Sequence, residues 1–195
     1  MDQRAIVSNV EIYGLEESIK AAKFPFAKDI SKVEDGITPT IERLAANLIG
    51  SGHDNFLNGI TVQFDLTFSM KAWVEMQRYH FIDFVSSQST MHCITNFDID
   101  KMCNEYVSDL TKSYLKRAVE EYKNSYSDES FLKIIYNIPS GFRLTARMTT
   151  NYRQLKTIYS QRKKHRLPEW RVFCAWCETL PHSEFICGKA EEVKK

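Results

Sequence analysis

Apolar and polar residues alternate without interruption from Ile60 to Phe68. Ile60, Val62, Phe64, Leu66 and Phe68 fall on one side, and Thr61, Gln63, Asp65 and Thr67 on the other. A period of two over this length predicts a strand with one buried face. The same period recurs from Phe142 to Thr149, where Leu144, Ala146 and Met148 oppose Arg143, Thr145, Arg147 and Thr149. A strand with such a cationic face is either covered by a ligand or open to water.

The rest of the pattern has helical spacing. Residues 39–49 predict a helix: Thr38 is placed to cap it, Pro39 suits its first turn, and Ile41, Leu44, Ala45 and Leu48 share a face before Gly50 and Gly52 break it. Ser69 is placed to cap a helix reaching about Phe81, followed by a loop containing Ser86, Ser87, Gln88 and Ser89. Three-or-four spacing of Ile99, Met102, Tyr106, Leu110, Leu115, Ala118 and Tyr122 predicts one long helix over 98–125. Pro139-Ser140-Gly141 marks a turn. Thr150 is placed to cap a further helix on which Asn151, Leu155, Ile158 and Arg162 form one stripe, its ends roughly 16 Å apart. Pro168 and Glu169 open a last helix with Trp170, Phe173, Trp176 and Leu180 buried. Taken together, these strands and helices are read as an α+β fold, an antiparallel or mixed sheet flanked by helices.

Composition narrows the class. At 195 residues, 43% hydrophobic and 26% charged, the chain is long enough for one core, and with no linker or repeat in evidence residues 1–195 are read as a single domain. No apolar run is long enough to cross a bilayer and no secretory leader is evident, so cytoplasmic residence is expected. The five cysteines are expected as free thiols. Cys174-Ala175-Trp176-Cys177 has redox spacing but lies in an apolar helical pattern, so core packing is expected. No histidine or cysteine spacing forms a recognised metal set, and no metal is expected.

The net charge is only +1, yet from Arg143 to Arg171 nine Lys or Arg stand against Glu169 alone. Such a run attracts anions, either nucleotides or nucleic acid, unless it is simply a solvated helix face. The densest polar chemistry lies at 78–92: Arg78, Tyr79, His80, Ser86, Ser87, Gln88, Ser89 and His92, interleaved with aromatics. Asn151, Arg153 and Arg162 form a second constellation.

At these residues the chain resembles the flavin-dependent thymidylate synthases, the ThyX family. That family's signature is an Arg-His-Arg triplet, about seven or eight residues, a Ser, and an Arg two residues later. Arg78-Tyr79-His80 takes the triplet position and Ser89 the serine position. His53 and Asn55 precede the strand and helix at the family's spacing. Asn151-Tyr152-Arg153 and Arg162 match its Asn-x-Arg and following Arg without a gap, and Pro139 falls at its Leu-Pro turn. The resemblance runs from about residue 40 to 180. Departures stand beside it: Tyr79 and His80 within the triplet, Gln88 for the loop acid, and Met91 and Ile135 where the family has phosphate-binding arginines. An apolar side chain offers no charge-assisted hydrogen bond to a phosphate.

The resemblance implies reductive methylation of dUMP to dTMP, with FAD as cofactor, NADPH and methylenetetrahydrofolate as co-substrates, and a homotetramer sharing its sites between subunits. It implies a catalytic Arg162, stabilising charge that develops on the pyrimidine. It implies flavin contacts from His53, Asn55, Arg78, Tyr79, His80, Asn151 and Arg153. Nucleotide contacts are expected from Arg78, Gln88, Ser89 and Arg162, with His92, Arg143 and Arg147 as candidate replacements for the missing arginines. Blander readings stand beside these: Asn151 as a helix cap, Tyr79 and His80 as partly buried packing residues, His53 and Asn55 as plain loop. Two alternative functions remain open at this point: a diverged flavin enzyme acting on another pyrimidine nucleotide, and a nucleic-acid-binding protein without catalysis, the latter not expected.

Overall fold

The structure, a computed structural model, describes residues 6–188. Four antiparallel strands form one sheet in the order β1-β2-β4-β3: β1 (Val7–Tyr13), β2 (Thr61–Ser69), β3 (Ile82–Ser87) and β4 (Arg143–Asn151). Both strands that alternate in the sequence are central, and they pair in strict register from Thr61↔Asn151 to Ser69↔Arg143. Val62, Phe64, Leu66, Phe68, Ala146 and Met148 therefore share the face that is buried.

Around the sheet run α1 (Leu15–Ala21), α2 (Pro39–Ala46), α3 (Met70–Met76), α4 (Thr90–Cys93), α5 (Ile99–Met102), α6 (Asp109–Ser125), α7 (Asp128–Tyr136), α8 (Tyr152–Arg162), α9 (Pro168–Cys177) and α10 (Glu184–Cys187). α8 and α9 bring Leu155, Ile158, Trp170 and Phe173 onto the apolar sheet face, where Phe68 packs edge-on against Trp170 at 5.0 Å. Burial of rings of this size is the main source of cohesion there. A second, smaller core joins α5, α6 and α7 around Leu115, Val119, Ile134 and Phe142.

Thr38 and Ser69 cap α2 and α3 as expected, accepting hydrogen bonds from the amides of Ile41 and Ala72. Several boundaries differ from the sequence reading. The helix read over 98–125 is two: Cys103 leaves helical geometry to bridge Phe142, Asn104 donates to the Gly141 carbonyl, and Ser108 caps a fresh start. That close approach requires Gly141, since a Cβ there would lie 2.5 Å from Val107 Cγ2. The helix from Ser69 ends at Met76, not Phe81, and the segment read as a loop is largely β3. The Phe81 carbonyl accepts from Thr150 Oγ1 at 2.7 Å, so Thr150 ties down the start of β3 and does not cap α8. Asn151 does that, its Oδ1 accepting from the Gln154 amide at 2.9 Å. α2 stops at Ala46, and α9 stops at Cys177 with Leu180 buried beyond it. β1, α1, α4, α7 and α10 have no counterpart in the sequence pattern read above.

Candidate functional site

Arg162 is the last residue of α8, and its stripe neighbours Leu155 and Ile158 turn it inward, leaving it 6% exposed. Its guanidinium carbon lies 4.8 Å from the Trp170 ring centroid and 5.6 Å from that of Tyr79. Nε donates to Tyr79 Oη at 2.8 Å and Nη1 to Glu75 Oε2 at 3.1 Å. Glu75 Oε2 also accepts from the Trp170 indole at 3.1 Å and lies 3.4 Å from His165 Nε2, while Oε1 lies 3.5 Å from Lys71. Tyr79 Oη in turn donates to Gln161 at 3.1 Å. The result is a cation set beside two aromatic rings that meet each other edge-on at 6.0 Å, and neutralised by one carboxylate, a combination that offsets the cost of taking the charge out of water.

This box joins the two polar constellations of the sequence, since Tyr79 and Arg162 meet across 83 residues. The flanking members of the triplet point elsewhere: Arg78 and His80 are exposed, as are His53, Asn55, Gln88 and His92, whereas Ser89 is half-buried. Gln88 docks on the sheet edge, its Oε1 accepting from the Thr145 amide at 2.8 Å and its own amide donating to the Thr145 carbonyl. Ser89 starts α4 without a side-chain capping bond. Met91 is exposed, and Ile135 packs against the smaller core.

Much of the basic run is engaged within the fold. Arg153 Nε and Lys156 Nζ hold the fully buried Asp54 at 3.1 and 2.8 Å. Arg147 sits on the polar sheet face, 3.3 Å from Asp65 and 3.8 Å from Glu11. Arg143 donates to the Lys101 carbonyl at 3.2 Å, and Arg171 to the carbonyls of His165 and Arg166. Arg153 and Arg147 thus have internal carboxylate partners, and Asn151 is occupied as a cap.

Glu75, Asp54, Trp170 and Lys156 carry this arrangement and were not singled out from the sequence. The sequence pattern marks Trp170 only as a packing residue. Glu75 is flanked by the inward Ala72, Trp73 and Met76, the one hint that it faces the interior. Cys174 and Cys177 lie buried in α9. Burial drives the Cys174 thiol up to about 12, and Cys187 up to about 11, so neither is a ready thiolate. Among the described residues no group of three or more His, Cys, Asp or Glu is arranged to hold a metal ion, and no helix is long and apolar enough to cross a membrane.

A flavin's phosphates and ring edges need exposed cations and hydrogen-bond donors. Arg78, His80, His53 and Asn55 are of the right chemistry and are accessible in a single chain. Their chemistry and exposure fit such a group.

No family model and no curated protein matches the chain. Solved structures do. The thymidylate synthase X of Helicobacter pylori, crystallised with FAD and dUMP, is 16% identical, with a TM-score of 0.68 over 94% of this chain and 100% of that one. A second structure of the Helicobacter pylori enzyme with the same ligands is 14% identical, with a TM-score of 0.67 over 93% and 98%. The UMP/dUMP methylase PolB of Streptomyces cacaoi, bound with 5-Br dUMP, is 16% identical, with a TM-score of 0.60 over 90% of each chain. The TM-scores and near-complete coverage agree: this chain has a divergent ThyX-like fold.

Proposed function

We propose that the chain is a flavin-dependent enzyme that methylates a pyrimidine nucleotide of the UMP/dUMP type, and that its reaction is thymidylate synthesis from dUMP. The observation that carries this reading is the 2.8 Å contact between Tyr79 and Arg162, which joins the two motif regions on a ThyX-like fold. FAD, when bound, supplies the hydride, with NADPH as reductant and methylenetetrahydrofolate as the carbon source. The chain's own residues bind and orient. Arg162 presents a planar fork that stays protonated, and two of its five donors are engaged by Tyr79 and Glu75. The remaining donors suit a pyrimidine oxygen that gains negative charge as N3 loses its proton. Tyr79, through its hydroxyl, and Trp170, through its ring, hold the guanidinium in place. Arg78 and His80 hold flavin or nucleotide phosphate.

Because the remaining candidates are exposed in one chain, a homotetramer with sites closed between subunits belongs to the same proposal. A diverged substrate is the second reading. It is favoured by Met91 and Ile135, one exposed and apolar and the other committed to a core. Nucleic-acid binding loses support because four of the nine cations of the basic run, Arg147, Arg153, Lys156 and Arg162, are paired with carboxylates inside the fold.

The test starts from the visible spectrum of the purified protein, where a flavin band is expected. Anaerobic reduction with NADPH and incubation with dUMP and methylenetetrahydrofolate should then yield dTMP. Flavin without dTMP, together with tighter competition by another pyrimidine nucleotide, would replace the first reading with the second. A colourless protein that takes up no FAD would reject both.

A further inference from the structure

A cavity of about 370 Å3 opens between the start of α3, the 139–141 turn, the loop joining α5 to α6 and the loop entering α9. Arg162, Tyr79 and Ser89 do not line it. Its charged walls are Lys71, Arg166 and Arg171 against the single carboxylate of Glu169, three cations to one anion and a net of two positive charges. Each cation is free to act on a ligand. Arg171 is anchored at 2.7 and 2.9 Å on the carbonyls of His165 and Arg166, which fixes its guanidinium at the rim without neutralising it. Arg166 has no side-chain hydrogen bond or ion pair among the described residues. Lys71 has only the 3.5 Å contact with Glu75, and its side chain is 55% exposed, so that pair is weak and exchangeable.

Two further features point the same way. The ten-residue α9 begins here with no side-chain cap, and Leu167, Pro168 and Glu169 at its start line the cavity. The Leu167 amide is taken by His165 Nδ1 and Pro168 has none, so of these three only the Glu169 amide adds to the positive potential of the cations. Tyr106, 71% exposed, forms part of the wall, and its backbone is held by Asn104 Oδ1 at 3.2 Å. An exposed ring on a backbone anchored beside a cationic cavity suits a planar ligand by stacking. The volume lies in the range of small-molecule sites.

We infer that this cavity binds a phosphate monoester carrying a planar ring, at a place separate from the Arg162 box. A monoester phosphate carries close to two negative charges at neutral pH and accepts several charge-assisted hydrogen bonds, which matches the net charge of the walls. The site does not rest on the flavin reading, and it holds for a chain that never binds FAD.

Titration calorimetry of the full chain with inorganic phosphate and with AMP tests it. Saturable binding of both is expected, AMP tighter. Arg166→Gln combined with Lys71→Gln should weaken both by about tenfold or more, as expected for losing two charge-assisted contacts. Tyr106→Ala should weaken AMP and leave phosphate unchanged. Arg162→Lys should leave both unchanged, which separates this site from the proposed reaction centre. Circular dichroism establishes that each variant is folded, and Arg166→Gln alone, at an exposed position, serves if the double variant is not. No saturable AMP binding would overturn the inference, as would equal affinity in the Arg166 variant or loss of binding in Arg162→Lys. Equal losses of phosphate and AMP affinity in Tyr106→Ala would overturn the ring requirement.

Discussion

Helix α8 ends in two different kinds of buried charge. Near its start, Arg153 and Lys156 close on Asp54, which is 0% exposed. Lys156 also donates to the carbonyls of Ala45 and Asn47, both at 2.7 Å, so its three ammonium hydrogens are all used. Arg153 gives Nε alone and its side chain is 28% exposed, so the complete part is the Asp54 carboxylate with the Lys156 ammonium, which ties α8 to the end of α2 and to the turn before β2. At the other end, Arg162 is nearly as buried, but its described bonds leave donors over, and aromatic rings take the place of further polar partners. One cluster is closed and the other is open. A saturated ion cluster holds a fold together, whereas a buried cation with spare donors is prepared for something outside the chain.

The largest way to break the contrast is Asp54→Ala. It leaves two partly buried cations facing no carboxylate, a loss of about 3–5 kcal/mol for a broken buried pair. Urea unfolding should show the lower midpoint, and a midpoint unchanged from the natural chain would mean that water replaces the carboxylate without cost. Arg162→Lys sharpens the other side. The ammonium keeps the charge but loses the planar fork and the stacking. On the proposed function it should lower kcat by about 10²–10³, the scale of one lost stabilising donor in a reaction site. Its stability should fall by only about 1–2 kcal/mol, because Glu75 keeps a cationic partner. A large fall in unfolding midpoint with kcat preserved would reverse the roles assigned to the two ends of α8. Tyr79→Phe is milder: the ring against Trp170 remains and the hydroxyl's two bonds go, for about 0.5–1.5 kcal/mol in a thermal melt.

The same contrast explains what could be read from the sequence. β2 and β4 were legible because they are central strands with one dry face, so alternation along the chain mirrors burial directly. β1 and β3 are edge strands. Only Val7 is buried in the first and only Ile82 in the second, so no period of two is imposed on them. β3 is also shifted by a bulge between Phe84 and Ser86, which moves Ser86 opposite Arg147. The inward direction of Arg162 was legible from Leu155 and Ile158, since three positions on one stripe share an environment. Its partner was not. Glu75 lies 87 residues away, and a lone acid on a short helix has the same local pattern whether it meets water or a guanidinium. Asp54 sits between His53 and Asn55, the two residues to which the motif spacing drew attention, and only the fold shows that the middle one is the buried one.

The smallest effect concerns the thiols of α9 and α10, and it is silent at neutral pH. Burial is the main reason that the Cys174 thiol is raised to about 12 from an ordinary 9.0, and the main reason that Cys187 is raised to about 11. Burial also raises Cys177 well above its ordinary value. The folded chain therefore keeps these protons when the unfolded chain has given them up. Stability from the neutral thiols is fully present below pH 9 and is lost as pH climbs from there through about 11 to 12. Urea midpoints should be flat from pH 7 to about 8.5 and fall above that range. Cys174→Ala should flatten the alkaline fall while lowering the whole curve through the small cavity it leaves. If Cys174 and Cys177 instead worked as a redox pair, iodoacetamide would label them rapidly at pH 8 in the folded chain. Labelling that waits for unfolding is the outcome expected of thiols buried in α9.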